Sequence, residues 1–355
     1  MGNAQSYITA SVTACSVYLV YVHVYSSHKL LKTNVLNNDR LPSSVYLYMK
    51  YLTKALTRKT GCLCRDSTRE CEVVYTVLNC RLETPLLRRF CTAAGYGWDY
   101  PDTEDRDTPL CFPEFLCRRL LLMVLTDRDF RLSPADLVRV RQSLKTLQPV
   151  DELKKGPFTL QVRVLVYRQI EAGVEVDICL TATSRTGCPV WESVLTLLSE
   201  NKLHKTTSRG SPRKENESPT DEPEPENVKQ VELKVSRTAG LQCVWTFSDF
   251  FPYRLLSLSS TLFGYRSQTS PGLWMLSVCL AEIEKHNGVE VITAPINITA
   301  QYQEPLMVPG RVTVTFWENS KDQNQSSAPG LSFHMQQHGT NRTHVKGLIF
   351  RSEST

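Results

Sequence analysis

Cysteine side chains are the first residues to consider for chemistry, because they bind metals and act as nucleophiles. Cys62 and Cys64 are separated by one residue, and Cys71 follows seven positions later. Zinc ligand pairs usually have roughly two to four intervening residues and a matching second pair. These three cysteines have neither feature, so the sequence predicts no metal site.

Other catalytic classes leave recognisable motifs. The chain has no G-x-S-x-G nucleophile turn, no G-x-x-x-x-G-K-[ST] phosphate loop and no G-x-G-x-x-G dinucleotide fingerprint. Those motifs position a serine nucleophile or hold phosphate groups, so serine hydrolase, P-loop and Rossmann functions have no support. We predict no bound cofactor.

Length and charge limit the number of domains and the classes of partner. A chain of 355 residues that is 41% hydrophobic is long enough for two domains. Its net charge of +5, from 41 basic and 36 acidic residues, is mild. A nucleic-acid-binding protein should show a concentrated basic face, so we predict no nucleic-acid partner.

Cysteine usage bears on the compartment. Twelve cysteines and four N-x-[ST] sequons would suit a secreted, disulfide-bonded protein. However, Asn297 of one sequon falls in a predicted strand, and several cysteines stand singly in apolar runs, where a free thiol acts as a small hydrophobe. These are Cys91, Cys117, Cys179, Cys243 and Cys279. The balance favours a reducing, cytoplasmic compartment, and secretion stays open as the alternative.

The N-terminal segment is uncharged. No Lys, Arg, Asp or Glu precedes Lys29, and Tyr7 to Tyr25 is largely apolar. This length is near the minimum for a membrane span, but polar residues dilute it, and the basic start of a signal peptide is missing. The first six residues also match the N-myristoylation pattern, with Gly2 as the acceptor. The segment is a candidate for membrane association.

A helix is predicted after this segment, from Ser44 to Lys59. One face carries an apolar stripe of Val45, Tyr48, Met49, Leu52 and Leu56, and another carries Lys50, Lys54 and Arg58. A basic amphipathic helix beside an apolar segment is typical of a membrane surface. An ordinary docking helix with a solvated basic face explains the same pattern. Both interpretations of residues 1–70 stay open.

The remaining chain divides at residues 201–228. That stretch is rich in Pro, Ser and charge and almost free of apolar residues, so we predict a disordered linker between residues 71–200 and 229–351.

Both halves have the same order of predicted elements, a helix followed by antiparallel strands. Helices are predicted at 85–94, 113–126 and 273–286, and strands at 158–169, 174–183, 190–198, 290–299, 311–317 and 331–350, the last with a turn near Gly339. Two copies of a helix wrapped by an antiparallel sheet predict an α+β double hotdog that packs as an internal pseudo-dimer.

The second half resembles the MaoC-like dehydratase family, which includes (R)-specific enoyl-CoA hydratases. The similarity lies in Ser248–Arg254 (SDFFPYR), Gly264–Trp274 (GYRSQTSPGLW) and Tyr302–Gly310 (YQEPLMVPG). The first half resembles the N-terminal half of two-hotdog members through Leu125–Phe130 and Val190–Ser193. The resemblance implies the hotdog fold and an acyl thioester as the ligand.

The resemblance also implies a site, in which an aspartate and a histidine share a water and move protons on the thioester. Asp249 matches the aspartate, but Arg254 replaces the histidine, and arginine stays protonated. Phe251, beside Pro252 in the thioester-binding loop, replaces an asparagine that orients polar groups.

The start of the central helix departs from the family in the same way. Pro271 replaces a second histidine, whereas Gly272 is kept, and its N–H at a helix N-terminus can polarise a thioester carbonyl.

These departures imply a degenerate enzyme that binds an acyl thioester or acts as a scaffold. In that case Asp249 and Arg254 form an ion pair that lowers the pKa of the carboxyl and spoils it as a base. The alternative is an active enoyl-CoA hydratase or 3-hydroxyacyl-thioester dehydratase that uses Asp249 with another partner.

Overall fold

The computed structural model describes residues 18, 21–64, 72–97, 107–135, 137–201, 227–236, 268–319 and 330–351. Asp249, Phe251, Pro252 and Arg254 lie outside the described residues, as does Gly2. Most of the predicted linker, residues 202–226, lies outside them too, so the predictions made for these positions stay predictions.

The described helices are α1 (Ser26–Leu30), α2 (Ser44–Thr57), α3 (Thr84–Ala94), α4 (Phe112–Leu116), α5 (Arg118–Thr126) and α6 (Gly272–Asn287). A π-helical turn covers Tyr21–Tyr25, and 3-10 turns cover Val150–Lys155 and Val289–Ile292. The strands of the first half are β1 (Val35–Asn37), β2 (Val74–Cys80), β3 (Leu137–Thr146), β4 (Phe158–Ile170), β5 (Gly173–Thr183) and β6 (Pro189–Glu200). Those of the second half are β7 (Lys229–Val235), β8 (Gln268–Thr269), β9 (Ile296–Tyr302), β10 (Met307–Val308), β11 (Gly310–Glu318), β12 (Leu331–Gln337) and β13 (Thr343–Arg351).

One sheet of eleven strands has the order β1-β2-β4-β5-β6-β3-β9-β13-β12-β11-β7. From the outside inwards, β2-β4-β5-β6-β3 and β7-β11-β12-β13-β9 have the same connectivity. The central helix is α5 in the first half and α6 in the second. In each set the strand before the central helix lies outermost, and the strand after it lies innermost. A three-stranded meander lies between them. This repeated topology confirms the predicted α+β double hotdog and its internal pseudo-dimer.

The two halves meet where β3 pairs with β9. The strands are antiparallel, with Arg141 opposite Gln301 and Leu144 opposite Ile298. Because the innermost strands of both halves form one ladder, the sheet is continuous through the molecule. Side chains from both halves therefore meet beside this pair of strands.

Each half buries a helix against its part of the sheet. In α5 every residue from Leu120 to Thr126 is buried, and in α6 every residue from Leu273 to Glu284 is buried. A helix that is covered on all sides is typically apolar all round. The helix α6 begins after Pro271, whose backbone is extended, and ends at Gly288, whose φ of 84° suits glycine.

Most predicted elements are confirmed with shifts of a few residues, but two predictions were wrong. The helix predicted over 113–126 is divided at Cys117 into α4 and α5. The strand predicted over 290–299 begins only at Ile296, because Val289–Ile292 forms a 3-10 turn. Pro295, which precedes β9, has no N–H to donate to a ladder.

The orientation predicted for α2 was also wrong. Lys54 donates to the carbonyl of Asp127, and Arg58 donates to the carbonyls of Phe130 and Leu132. The basic face therefore contacts the loop after α5 and is not the solvated face. Three apolar side chains of the helix are left exposed instead: Val45 at 56%, Met49 at 57% and Leu56 at 86%.

Two further observations bear on the predicted membrane association and on the alternative of a secreted, disulfide-bonded protein. None of the helices in the described ranges is long and apolar enough to span a bilayer. All nine cysteines in those ranges are free thiols, and six of them are fully buried or nearly so: Cys80, Cys91, Cys111, Cys117, Cys179 and Cys279.

Candidate functional site

The candidate site lies at the start of α6, where Gly272 is the first helical residue. A short antiparallel ladder holds this end, with Met307 opposite Thr269 and Val308 opposite Gln268. The Ser270 N–H also donates to the carbonyl of Leu306 at 2.7 Å. Two of the segments that carry the MaoC-like resemblance, Gly264–Trp274 and Tyr302–Gly310, are thus joined through their described residues, and together they fix where the helix begins.

Two side chains close over Gly272. A Cβ placed on this residue would lie 3.1 Å from Cδ of Arg139 and 3.1 Å from Cε1 of Tyr302. Arg139 comes from β3 of the first half and Tyr302 from β9 of the second, and the guanidinium lies 5.6 Å from the centre of the Tyr302 ring. Glycine is therefore the residue that fits here without moving its neighbours.

Both side chains belong to a buried polar network, which we call the interface network: Glu114, Arg139, Gln142, Ser193 and Tyr302. Arg139 donates to one oxygen of the fully buried Glu114 carboxylate, and Gln142 Nε2 donates to the other at 2.7 Å. Gln142 Nε2 also lies 3.1 Å from Ser193 Oγ. Gln142 Oε1 accepts from Arg139 at 2.9 Å and from the Tyr302 hydroxyl at 2.8 Å. Every member therefore has a partner.

The electrostatics keep the donors of this network protonated. Burial alone would lower the pKa of the Arg139 guanidinium, but Glu114 and Tyr302 raise it above the ordinary value. Burial raises the pKa of the Tyr302 hydroxyl. Burial, with Glu114 nearby, also raises the pKa of the Cys111 thiol to about 12. At neutral pH these groups cannot take a proton from a substrate.

The interface network can therefore hold structure and polarise, and its carboxylate is already hydrogen-bonded on both oxygens. Glu114 is the one carboxylate in the network, and its two oxygens accept from Arg139 and Gln142. Among the described residues at Gly272, what remains for chemistry is the N-terminus of α6, which carries partial positive charge. This matches the role that the resemblance implies for Gly272.

Sequence reasoning missed the interface network. One signal was available, since Glu114 is the only charged residue between Leu110 and Cys117. A lone carboxylate in an apolar run is usually buried with a cationic partner. The partner could not be named, because Arg139 reaches Glu114 only once β3 lies beside α4.

Three further titratable side chains are buried. Glu282 and Glu284 are buried on α6. His344 is also buried, and its Nδ1 lies 3.1 Å from the carbonyl oxygen of Glu304. In the described ranges no group of His, Cys, Asp or Glu could hold a metal ion, and Cys71 lies outside those ranges.

Comparison by sequence gives no assignment. No protein-family model matches the chain, and the search of curated proteins finds no significant match.

Comparison by structure gives clear neighbours. A MaoC-like dehydratase from Phytophthora capsici has a TM-score of 0.58 at 16% identity, covering 80% of this chain and 96% of its own. Another MaoC-like dehydratase has a TM-score of 0.57 at 12% identity, covering 79% and 98%. HtdX of Mycobacterium tuberculosis has a TM-score of 0.55 at 15% identity, covering 78% and 98%. At these identities the likeness concerns the fold, and the chain has the double-hotdog fold of the MaoC-like dehydratases.

Proposed function

We propose that this chain binds an acyl thioester at the start of α6 and has lost hydratase chemistry. The observation that carries the proposal is the closure of Gly272 by Arg139 and Tyr302, two residues of a fully paired network. The N-terminus of α6 keeps the partial positive charge that attracts a thioester carbonyl. In the paired network beside it, both oxygens of the one carboxylate, Glu114, already accept hydrogen bonds.

The sequence of the neighbouring loop supports the same proposal. Asp249 stands where the family has its acid–base aspartate, and Arg254 stands where it has the histidine. An ion pair between the two would hold the aspartate ionised and weaken it as a base. Phe251 and Pro252 would then contribute apolar contacts to the acyl group. The proposal includes a scaffold role, in which the same surface binds its ligand without converting it.

The alternative is an active enoyl-CoA hydratase or dehydratase. It is favoured by the retention of Asp249, and it requires a proton-carrying partner other than Arg254. Hydration activity that depends on Asp249 would select this alternative.

Binding is tested by calorimetric titration of the full chain with crotonyl-CoA. We expect saturable binding without turnover, and weaker binding to Gly272→Ala, because the added methyl group displaces Arg139 or Tyr302. Glu171→Gln, at an exposed turn, is the matched control and should bind as the wild type does. Absence of crotonyl-CoA binding to folded wild-type protein would overturn the proposal.

For the N-terminal region we propose association with a membrane surface from the cytoplasmic side. Three observations support it: the uncharged first residues, the free cysteines, and the exposed apolar row Val45, Met49 and Leu56 on α2. These three positions lie on one face of the helix. Myristoylation at Gly2 would add a second anchoring signal.

A further inference from the structure

Two adjoining cavities lie between the N-terminal region and the first hotdog, and Gly272 lines neither of them. One has a volume of about 520 Å³ and the other of about 930 Å³. Leu41, Ser44 and Arg119 line both, so the cavities share a border. Both volumes fall in the range of ligand sites, roughly 300–1,000 Å³.

The smaller cavity, which we call the apolar cavity, is lined in part by apolar side chains of the first hotdog. Six of them are Leu86, Phe115, Leu116, Leu122, Phe158 and Leu160. Phe115, Leu122, Phe158 and Leu160 are at most 3% exposed and so belong to the core of the first hotdog. Tyr48 of α2 and Leu41 of the segment before it also line this cavity. A lining of this kind suits an alkyl chain.

The larger cavity, which we call the polar cavity, is lined by hydroxyl groups and cations. Ser26, Ser27, Thr33, Ser43 and Ser44 contribute hydroxyls. Its charged lining consists of Lys29, Arg40 and Arg119, with Asp39 as the one carboxylate. Such a set suits an anion with several oxygens, above all a phosphate group.

Both cavities are lined by cations, and they share Arg119. Arg119 Nη2 donates to Ser44 Oγ at 3.1 Å, which holds the guanidinium at the border. Arg118 lies over the Phe115 ring at 4.3 Å, and Arg81 also lines the apolar cavity. The two cavities together have five Lys or Arg side chains and two carboxylates, Asp39 and Glu83.

We propose that these cavities bind an amphiphile with one acyl chain and a phosphate-bearing head. The chain would lie in the apolar cavity and the phosphate in the polar cavity, with Arg119 between them. This site uses the first hotdog and the N-terminal region, so it goes beyond the thioester site at Gly272 and stands or falls separately. An acyl-CoA and a lysophospholipid both have this chemistry.

The test is calorimetric titration of the full chain with decyl phosphate. Monodecanoylglycerol serves as the neutral amphiphile, and inorganic phosphate as the head group alone. We expect decyl phosphate to bind about tenfold more tightly than either, since charge-assisted hydrogen bonds contribute on that order. Equal affinity for decyl phosphate and monodecanoylglycerol would overturn the proposal.

Variants locate the binding. Arg119→Gln should weaken decyl phosphate binding about tenfold, and Leu86→Trp should abolish it by filling the apolar cavity. Arg81→Gln, at an exposed side chain, is a second variant that should weaken binding without loss of folding. Arg311→Gln on β11 is the matched control and should bind normally. If Arg119→Gln and Arg81→Gln both fold and bind like Arg311→Gln, the site is not here.

Two further experiments distinguish the cavity site from the thioester site at Gly272, and an acyl thioester from a lysophospholipid as its ligand. Gly272→Ala should weaken crotonyl-CoA binding and leave decyl phosphate binding unchanged, so that either proposal can fail alone. Decanoyl-CoA and decanoyl lysophosphatidate are then tested as competitors of decyl phosphate. Displacement by the first supports a thioester source and displacement by the second a lipid source. Displacement by neither would contradict the proposal.

Discussion

The Tyr302 hydroxyl donates to Gln142 Oε1 over 2.8 Å and so bonds the second hotdog to the first. Gln142 in turn binds the buried Glu114 carboxylate, which carries the charge opposite to Arg139. The junction between the two halves of the pseudo-dimer is therefore polar, although the cores on either side of it are apolar. Stability and the shape of the site at Gly272 should depend on the same few side chains.

Glu114→Gln tests this dependence. The Glu114 side chain is fully buried and Arg139 retains 13% exposure, so removal of the carboxylate leaves a buried cation without its counter-charge. We expect a loss of about 3–5 kcal/mol in the free energy of unfolding, measured by urea titration. Tyr302→Phe should cost only about 0.5–1.5 kcal/mol, because Gln142 Oε1 keeps its bond from Arg139. An equal, small loss in both variants would count against a compensated buried charge pair.

Lys54 should give stability a pH dependence. Burial, with Arg58 nearby, lowers the pKa of Lys54 to about 7 from an ordinary 10.5. Between those values the unfolded chain binds a proton that the folded chain lacks, so this group makes stability rise with pH in that window. Below pH 7 its full destabilising effect is present.

Lys54→Met removes that contribution. The free energy of unfolding of the variant, minus that of the wild type, should fall steadily as pH is raised from about 7 to about 10. Urea titrations at several pH values give this difference. Lys59→Met, at an exposed lysine, should show no such trend. A difference that stays constant for Lys54→Met would show that its pKa is not lowered in the folded state.

The exposed row on α2 should matter for membranes and little for stability. Met49→Gln with Leu56→Gln should reduce co-sedimentation with anionic vesicles, because it removes apolar area from the helix face. Exposed substitutions of this kind usually change stability by less than about 0.5 kcal/mol. Leu165→Gln, an exposed leucine on β4, is the matched control and should leave co-sedimentation unchanged. Unchanged vesicle binding by the double variant would exclude this face as the contact.

The alternation of apolar residues and the repeat of elements predict the fold of this chain well, but they fail where charges are buried. In β3 the register shifts between Arg139 and Arg141. The buried positions are therefore odd-numbered before the shift, as at Leu137, and even-numbered after it, as at Leu144. A search for strict alternation misses such a strand. The bulge and the burial of Arg139 both depend on neighbours that are distant in sequence.

The same limit explains the error at α2. A helix with a basic face and an apolar face is normally placed with its charges in water. Here the carbonyls after α5 need donors, and Lys54 and Arg58 supply them. Tyr51 adds a bond of 2.7 Å to the carbonyl of Pro134 in the same loop. These contacts between distant parts of the chain decide which face points inwards.

Restoring the family pattern tests whether only the proton-transfer pair is missing. Phe251→Asn combined with Arg254→His supplies an orienting amide and a base that titrates near neutral pH. We expect crotonyl-CoA hydration to appear in this double variant, because the N-terminus of α6 still positions the thioester. The same variant with Asp249→Asn is the control and should be inactive. No gain in a folded double variant would mean that the thioester is not positioned for reaction.

The most direct test of the central claim is the rate of crotonyl-CoA hydration by the wild-type chain beside Asp249→Asn. With Arg254 unable to accept a proton, both proteins should give the uncatalysed rate, although the wild type binds the thioester. An enzymatic rate in the wild type that Asp249→Asn abolishes would contradict the claim and identify the chain as an active hydratase.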